Sequence, residues 1–123
     1  MTSILVVEDD RDIRETLTDA LEDEGYHVVS AFDGLDALEH LRAMSPLPAV
    51  ILLDLMMPRM NGMQFCEEKR AVPQWSHIPI VVLSADSNAR ERAQACGAKS
   101  YIQKPVTLQA LYDAVALFGC PTD

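Results

Sequence analysis

Short apolar runs alternate with segments of helical periodicity along the whole chain. Ile4 to Val7 is apolar throughout, and Arg11 to Glu24 then sets Ile13, Leu17, Ala20 and Leu21 at helical spacing before Gly25. This pattern predicts a strand followed by a helix with a glycine stop. His27 to Ser30 predicts a second strand. After the Asp33-Gly34 turn, a second helix presents Leu35, Leu38 and Leu41 on one face and stops before Ser45-Pro46-Leu47-Pro48. Ala49 to Leu53 is continuously apolar and runs into Asp54, as expected of a central strand covered on both faces. Met56-Met57-Pro58 and Asn61-Gly62 read as a loop, and a third helix runs from about Gly62 to Arg70, ahead of Pro73. Pro79 to Leu83 predicts the fourth strand, ending at Ser84. From Ser87 to Cys96 only Ala89, Ala93 and Cys96 face inward. This fourth helix, closed by Gly97, therefore has little area to anchor it and is expected to be the loosest element. Ser100 to Gln103 is the fifth strand, and Thr107 caps a last helix with Leu108, Leu111, Val115 and Phe118 on one face.

Strict alternation of strand and helix predicts an α/β fold, a doubly wound five-stranded parallel sheet with five flanking helices, because parallel crossovers need a helix-length connection. The 123 residues suit one domain, 1–123. In such sheets the functional groups gather beyond the carboxyl ends of the strands.

Charge narrows the classes. Nineteen acidic against ten basic residues give a net charge of −9, the wrong sign for tracking nucleic acid or an anionic membrane surface. Ala49 to Leu53, which no apolar run exceeds in length, is far below the ~18 residues of a membrane span. Met1-Thr2-Ser3 offers no basic start of a secretory signal, so the expected location is cytoplasmic. Cys66, Cys96 and Cys120 lie at spacings that resemble neither a disulfide framework nor a zinc site, and read as ordinary thiols. His27, His40 and His77 show no ligand spacing, and Trp75 reads as a loop packing residue.

The predicted strand ends carry Glu8-Asp9-Asp10, Asp54, Ser84 and Lys104. Three or more carboxylates on one rim repel unless a hard cation sits among them, and Mg2+, which takes oxygen ligands and accompanies phosphates, is the natural candidate. A strand-end aspartate can act as a nucleophile toward phosphorus, and Asp54 is the best placed. Ser84 and Lys104 supply a hydroxyl donor and an ammonium for phosphoryl oxygens.

Leu5-Val6-Val7-Glu8-Asp9-Asp10, Leu53-Asp54-Leu55-Met56-Met57-Pro58 with Asn61-Gly62, Ser84-Ala85 and Lys104-Pro105 resemble the motifs of response-regulator receiver domains, over nearly the whole chain. The resemblance implies a flavodoxin-like, CheY-like fold and a phosphoacceptor that is not a multiple-turnover enzyme. It implies that Asp54 takes a phosphoryl group from a sensor histidine kinase or histidine phosphotransfer protein. Asp9, Asp54 and the carbonyl of Met56 would bind Mg2+ directly, with Glu8 acting through water, and Ser84 and Lys104 would hold the phosphoryl group. The Lys104-Pro105 peptide would be cis, and Ser84 and Tyr101 would form the switch that alters a face for a downstream partner, or for an output domain outside this chain. Asp10, one residue past the usual acidic pair, reads as the cap of the first helix. The resemblance implies that Met56 and Asp86 occupy positions that flank the phosphoryl group and tune its loss to water. The last helix lacks the Phe and Glu-Leu pattern of dimerising DNA-binding regulators.

Two other classes compete. A haloacid-dehalogenase-type phosphatase also uses a strand-end aspartate and magnesium, but places a second Asp two residues on, where this chain has Met56. A receiver-like interaction module that has lost phosphorylation is opposed by the full set of acceptor residue types. A dinucleotide fold is excluded by Glu8-Asp9-Asp10 in place of a glycine turn.

Overall fold

The computed structural model describes residues 2–55 and 60–118. Met56, Met57, Pro58 and Cys120 lie outside the described residues. The elements are β1 (Ser3–Val7), α1 (Arg11–Asp23), β2 (His27–Ala31), α2 (Gly34–Ala43), β3 (Val50–Asp54), α3 (Gly62–Arg70), α4 (Pro73–Ser76), β4 (Ile80–Ser84), α5 (Ala89–Cys96), β5 (Ser100–Gln103) and α6 (Leu108–Ala116). The strands form one parallel sheet in the order β2-β1-β3-β4-β5. The chain winds outward in both directions from β1 and β3, so their carboxyl ends flank the point where strand order reverses.

Pleat alternation divides the strand residues between two cores. Leu5, Val7, Ile51, Leu53, Ile80 and Val82 pack with α2, α3, α4 and α5. Ile4, Val6, Val50, Leu52, Val81 and Leu83 pack with α1 and α6. All five residues of β1, β3 and β4 are buried, which explains their unbroken apolar runs. Asp10 caps α1 by accepting from the Ile13 amide at 3.0 Å, Asn61 and Gln64 form a capping box on α3, and Thr107 caps α6. Gly97 ends α5 at φ 75°, the left-handed conformation that glycine adopts without a Cβ penalty.

Four expectations need correcting. There are six helices among the described residues: α4 is a single turn, too short to show a helical period, and Pro73, whose fixed φ suits the first helical position, begins it. Its Trp75 is buried in the core beneath α2 and α3, so the packing role holds and the loop assignment does not. Leu35 and Leu108, placed inward by spacing, are 40% and 52% exposed. Both sit in the first turn of their helices, before the helix axis has brought that face onto the sheet, and the inner positions fall to Ala37 and Ala114. Finally, Cys66 and Cys96 form a disulfide, with Cα atoms 5.8 Å apart; sequence spacing was silent because packing of α3 against α5 creates the proximity.

Candidate functional site

The site is built where β1, β3, β4 and β5 end. Glu8 follows β1 with its side chain fully buried, while neighbouring Asp9 is exposed. The turn that presents them is fixed from both sides: the Glu8 amide donates to the Ala31 carbonyl at 3.0 Å, and the Arg14 guanidinium donates to the Glu8 and Asp9 carbonyls at 2.9 and 3.4 Å. Arg14 is a positioning residue that the motif analysis missed; its only sequence signal is a cation one turn into the helix behind an acidic pair.

Asp54 is the last residue of β3 and is 4% exposed. The chain returns close behind it, where the Gly62 amide donates to the Leu55 carbonyl at 3.1 Å. A Cβ on Gly62 would lie 2.7 Å from the Leu55 Cα and 2.9 Å from the Asp54 carbonyl oxygen, so only glycine lets α3 begin this near the end of β3.

Ser84 ends β4 and is buried, and its carbonyl accepts from the Lys104 amide at 2.8 Å. The peptide between Lys104 and Pro105 is cis, as the motif resemblance implied. Lys104 Nζ lies 2.7 Å from Glu8 Oε1 and 3.7 Å from Asp54 Oδ1. Residues 96 positions apart thus meet through one ammonium. Burial pushes the Lys104 pKa down, but the hydrogen bond to Glu8 and the charges of Asp54, Glu8 and Asp9 outweigh it and hold the pKa above the ordinary lysine value of 10.5. The ammonium is charged at every physiological pH.

One ammonium does not balance three carboxylates. Glu8, Asp9 and Asp54 each offer an oxygen within 4.8 Å of the others, and an all-oxygen donor set of this kind fits a hard divalent cation. The expected Met56 carbonyl ligand lies outside the described residues. The Ser84 hydroxyl accepts from the Asp86 amide at 3.1 Å. The Asp86 carboxylate accepts from the Asn88 amide at 2.8 Å and pairs with Arg92 on α5 at 2.6 Å. The Asn88 hydrogen bond and then Arg92 hold the Asp86 pKa below its ordinary value. Tyr101, opposite Val82 on β5, is 42% exposed. Beside Lys104 a groove of about 540 Å³ opens between α1 and the loop that joins β5 to α6, with Ile13, Leu17, Pro105 and Val106 on its walls.

Solved structures with this architecture include the chemotaxis protein CheY4 of Vibrio cholerae, with TM-score 0.87 and 29% identity over 97% of this chain and 99% of that one. Another is the signal receiver domain of a signal transduction histidine kinase from Syntrophus aciditrophicus, with TM-score 0.85 and 30% identity over 96% and 89%. The fold and its acidic rim thus define the class: a CheY-like α/β signalling module. The sequence profile of the response regulator receiver domain matches residues 4–116, and the chain belongs to that family. It is a phosphoacceptor signalling module of two-component systems rather than an enzyme. Among relatives, the response regulator MprA of Mycobacterium ulcerans is 41% identical over 110 residues, which is 88% of this chain and 46% of that protein. The chain spans about half the length of the curated relatives it matches.

Proposed function

We propose that residues 1–123 act as one receiver domain in which Asp54 takes a phosphoryl group from a phosphohistidine on a sensor histidine kinase or histidine phosphotransfer protein. The observation that carries this reading is the Lys104 ammonium held between Glu8 and Asp54 at 2.7 and 3.7 Å, on a rim where three carboxylates share a candidate cation site. A carboxylate oxygen of Asp54 attacks phosphorus, an O–P bond forms, and the N–P bond breaks with its electron pair passing to the imidazole. Lys104 then pairs with a phosphoryl oxygen, and the Ser84 hydroxyl donates a hydrogen bond to another. Asp9 and Asp54, with the expected Met56 carbonyl, would hold Mg2+ directly and Glu8 would act through bound water; the ion would supply neutralisation of charge on the transferring oxygens. In this reading the apolar groove beside Lys104 offers the phosphodonor protein a seat.

Phosphorylation adds about −1.5 to −2 charges and three acceptor oxygens. In this reading Ser84 turns toward them and Tyr101 moves inward, reshaping the face of α5, β5 and α6 for a downstream protein or an output domain outside this chain. The domain works in the cytoplasm, where the phosphodonor is made. No described helix is long and apolar enough to cross a membrane.

The test is incubation with acetyl phosphate with and without Mg2+, followed by intact mass. The reading predicts one added phosphoryl group that requires Mg2+ and is absent in Asp54→Asn; a protein that stays unmodified, or an Asp54→Asn variant labelled as fully as the parent, contradicts it.

A further inference from the structure

We infer that Cys66 and Cys96 are a reversible redox modification site that latches α5 to α3. Both cysteines are 3% exposed and belong to the same core cluster. Cys66 lies within α3, Cys96 is the last residue of α5, and their Cα separation of 5.8 Å is in the range a disulfide spans without backbone movement. A second tie joins the same helix ends: the Arg70 guanidinium donates to the Cys96 carbonyl at 3.2 Å.

The latch matters because so little else holds this helix. The buried side chains of α5 are Ala89, Ala93 and Cys96, two methyl groups and one sulfur. Little apolar area leaves water on that face, and the stabilisation scales with that area. The N-terminal end of α5 is tied to the phosphoacceptor rim, since Asp86 joins Ser84 to Arg92. A covalent bond at the far end therefore restrains the element that leads away from the site. The effect on signalling rests on the reading of α5 and β5 as the switched face; the modification itself does not.

The chemistry is thiol–disulfide exchange with a small-molecule disulfide. One cysteine thiolate attacks a sulfur of that disulfide, whose S–S bond breaks and releases one thiolate. The second cysteine attacks the mixed disulfide, forming the Cys66–Cys96 bond and releasing the second thiolate. Two protein thiols are oxidised, one small disulfide is reduced to two thiols, and the two protons lost by the cysteines go to the leaving groups. Access to the buried pair requires α5 to open, which its thin packing permits.

The experiment treats the fully reduced protein with oxidised glutathione, alkylates it under denaturing conditions, and maps the peptides. The chain has three cysteines. The latch predicts that reduced protein is alkylated at all three, and oxidised protein at Cys120 alone, with a linked Cys66–Cys96 peptide pair. Alkylation of all three after oxidation, or a bond that includes Cys120, overturns it. In a second arm, hydrogen exchange on the unphosphorylated protein is expected to be about tenfold slower across α5 in the oxidised form, and this difference is expected to vanish in Cys66→Ala. Equal exchange in the two redox states also overturns it. Acetyl phosphate labelling of the reduced protein separates the two readings: loss of labelling with the redox difference intact defeats the phosphoacceptor assignment and leaves the latch standing.

Discussion

The centre of the sheet and its β5 margin are held in different ways. In β1, β3 and β4 every residue is buried, and every apolar one contributes to one of two cores. At the margin, β5 buries Ile102 alone, and α5 rests on two alanines and a cysteine. The site lies on the seam. Glu8 directly follows β1 and Asp54 ends β3, both fully buried strands, whereas Ser84 and Lys104 begin the segments that lead to the loosely held side. A charge change at Asp54 therefore meets rigid supports behind it and compliant ones beside it, the asymmetry a signalling domain needs in order to convert local electrostatics into movement of one face.

The largest contrast should appear in stability. Leu52→Ala opens a cavity at a fully buried position in β3 and is expected to cost about 2–5 kcal/mol in urea unfolding. Ala93→Gly on α5 removes one methyl group and raises backbone entropy, for about 1 kcal/mol. If the α5 variant costs as much as the β3 variant, the margin is not weakly anchored.

Next in size is Lys104→Met. It strands the fully buried Glu8 carboxylate without its cation, and is expected to destabilise the protein by about 1–3 kcal/mol, since a buried charged group loses its partner. Because the folded pKa of Lys104 is raised, its contribution is fully present below 10.5 and is lost as pH rises through the higher folded value. The stability gap between parent and variant should therefore stay level through neutral pH and narrow only in alkali. A gap that already closes near neutrality would show that Lys104 is not held by the carboxylates.

The smallest effect belongs to Asp86→Ala. Asp86 and Arg92 face solvent, so global stability should barely move, while amides in the first turn of α5 should exchange faster. The depressed Asp86 pKa places its contribution above the ordinary carboxyl value of 3.8; it is lost as pH falls through the folded value. Unchanged exchange in Asp86→Ala would uncouple α5 from the loop after Ser84.

What the sequence made legible follows the same division. Unbroken apolar runs mark the buried strands because both faces are covered, and the strand-end residues Glu8, Asp9, Asp54, Ser84 and Lys104 were readable from that placement. The margin was harder. A one-turn helix such as α4 has no period to detect, and Leu35 and Leu108 sit in first turns where periodicity overstates burial. The Cys66–Cys96 pairing and the Arg14 brace depend on how helices and turns pack, which spacing along the chain does not encode. Lys104 was expected near a phosphoryl oxygen; its seat between Glu8 and Asp54 became visible only in three dimensions.

The most direct measurement of the central claim is the chemical identity of the modified carboxylate. After treatment with acetyl phosphate and Mg2+, borohydride reduces an acyl phosphate to an alcohol, and peptide sequencing locates the resulting homoserine. The account predicts homoserine at position 54 alone. Reduction at Glu8 or Asp9, or an intact Asp54 in protein that carries a phosphoryl group, would contradict it.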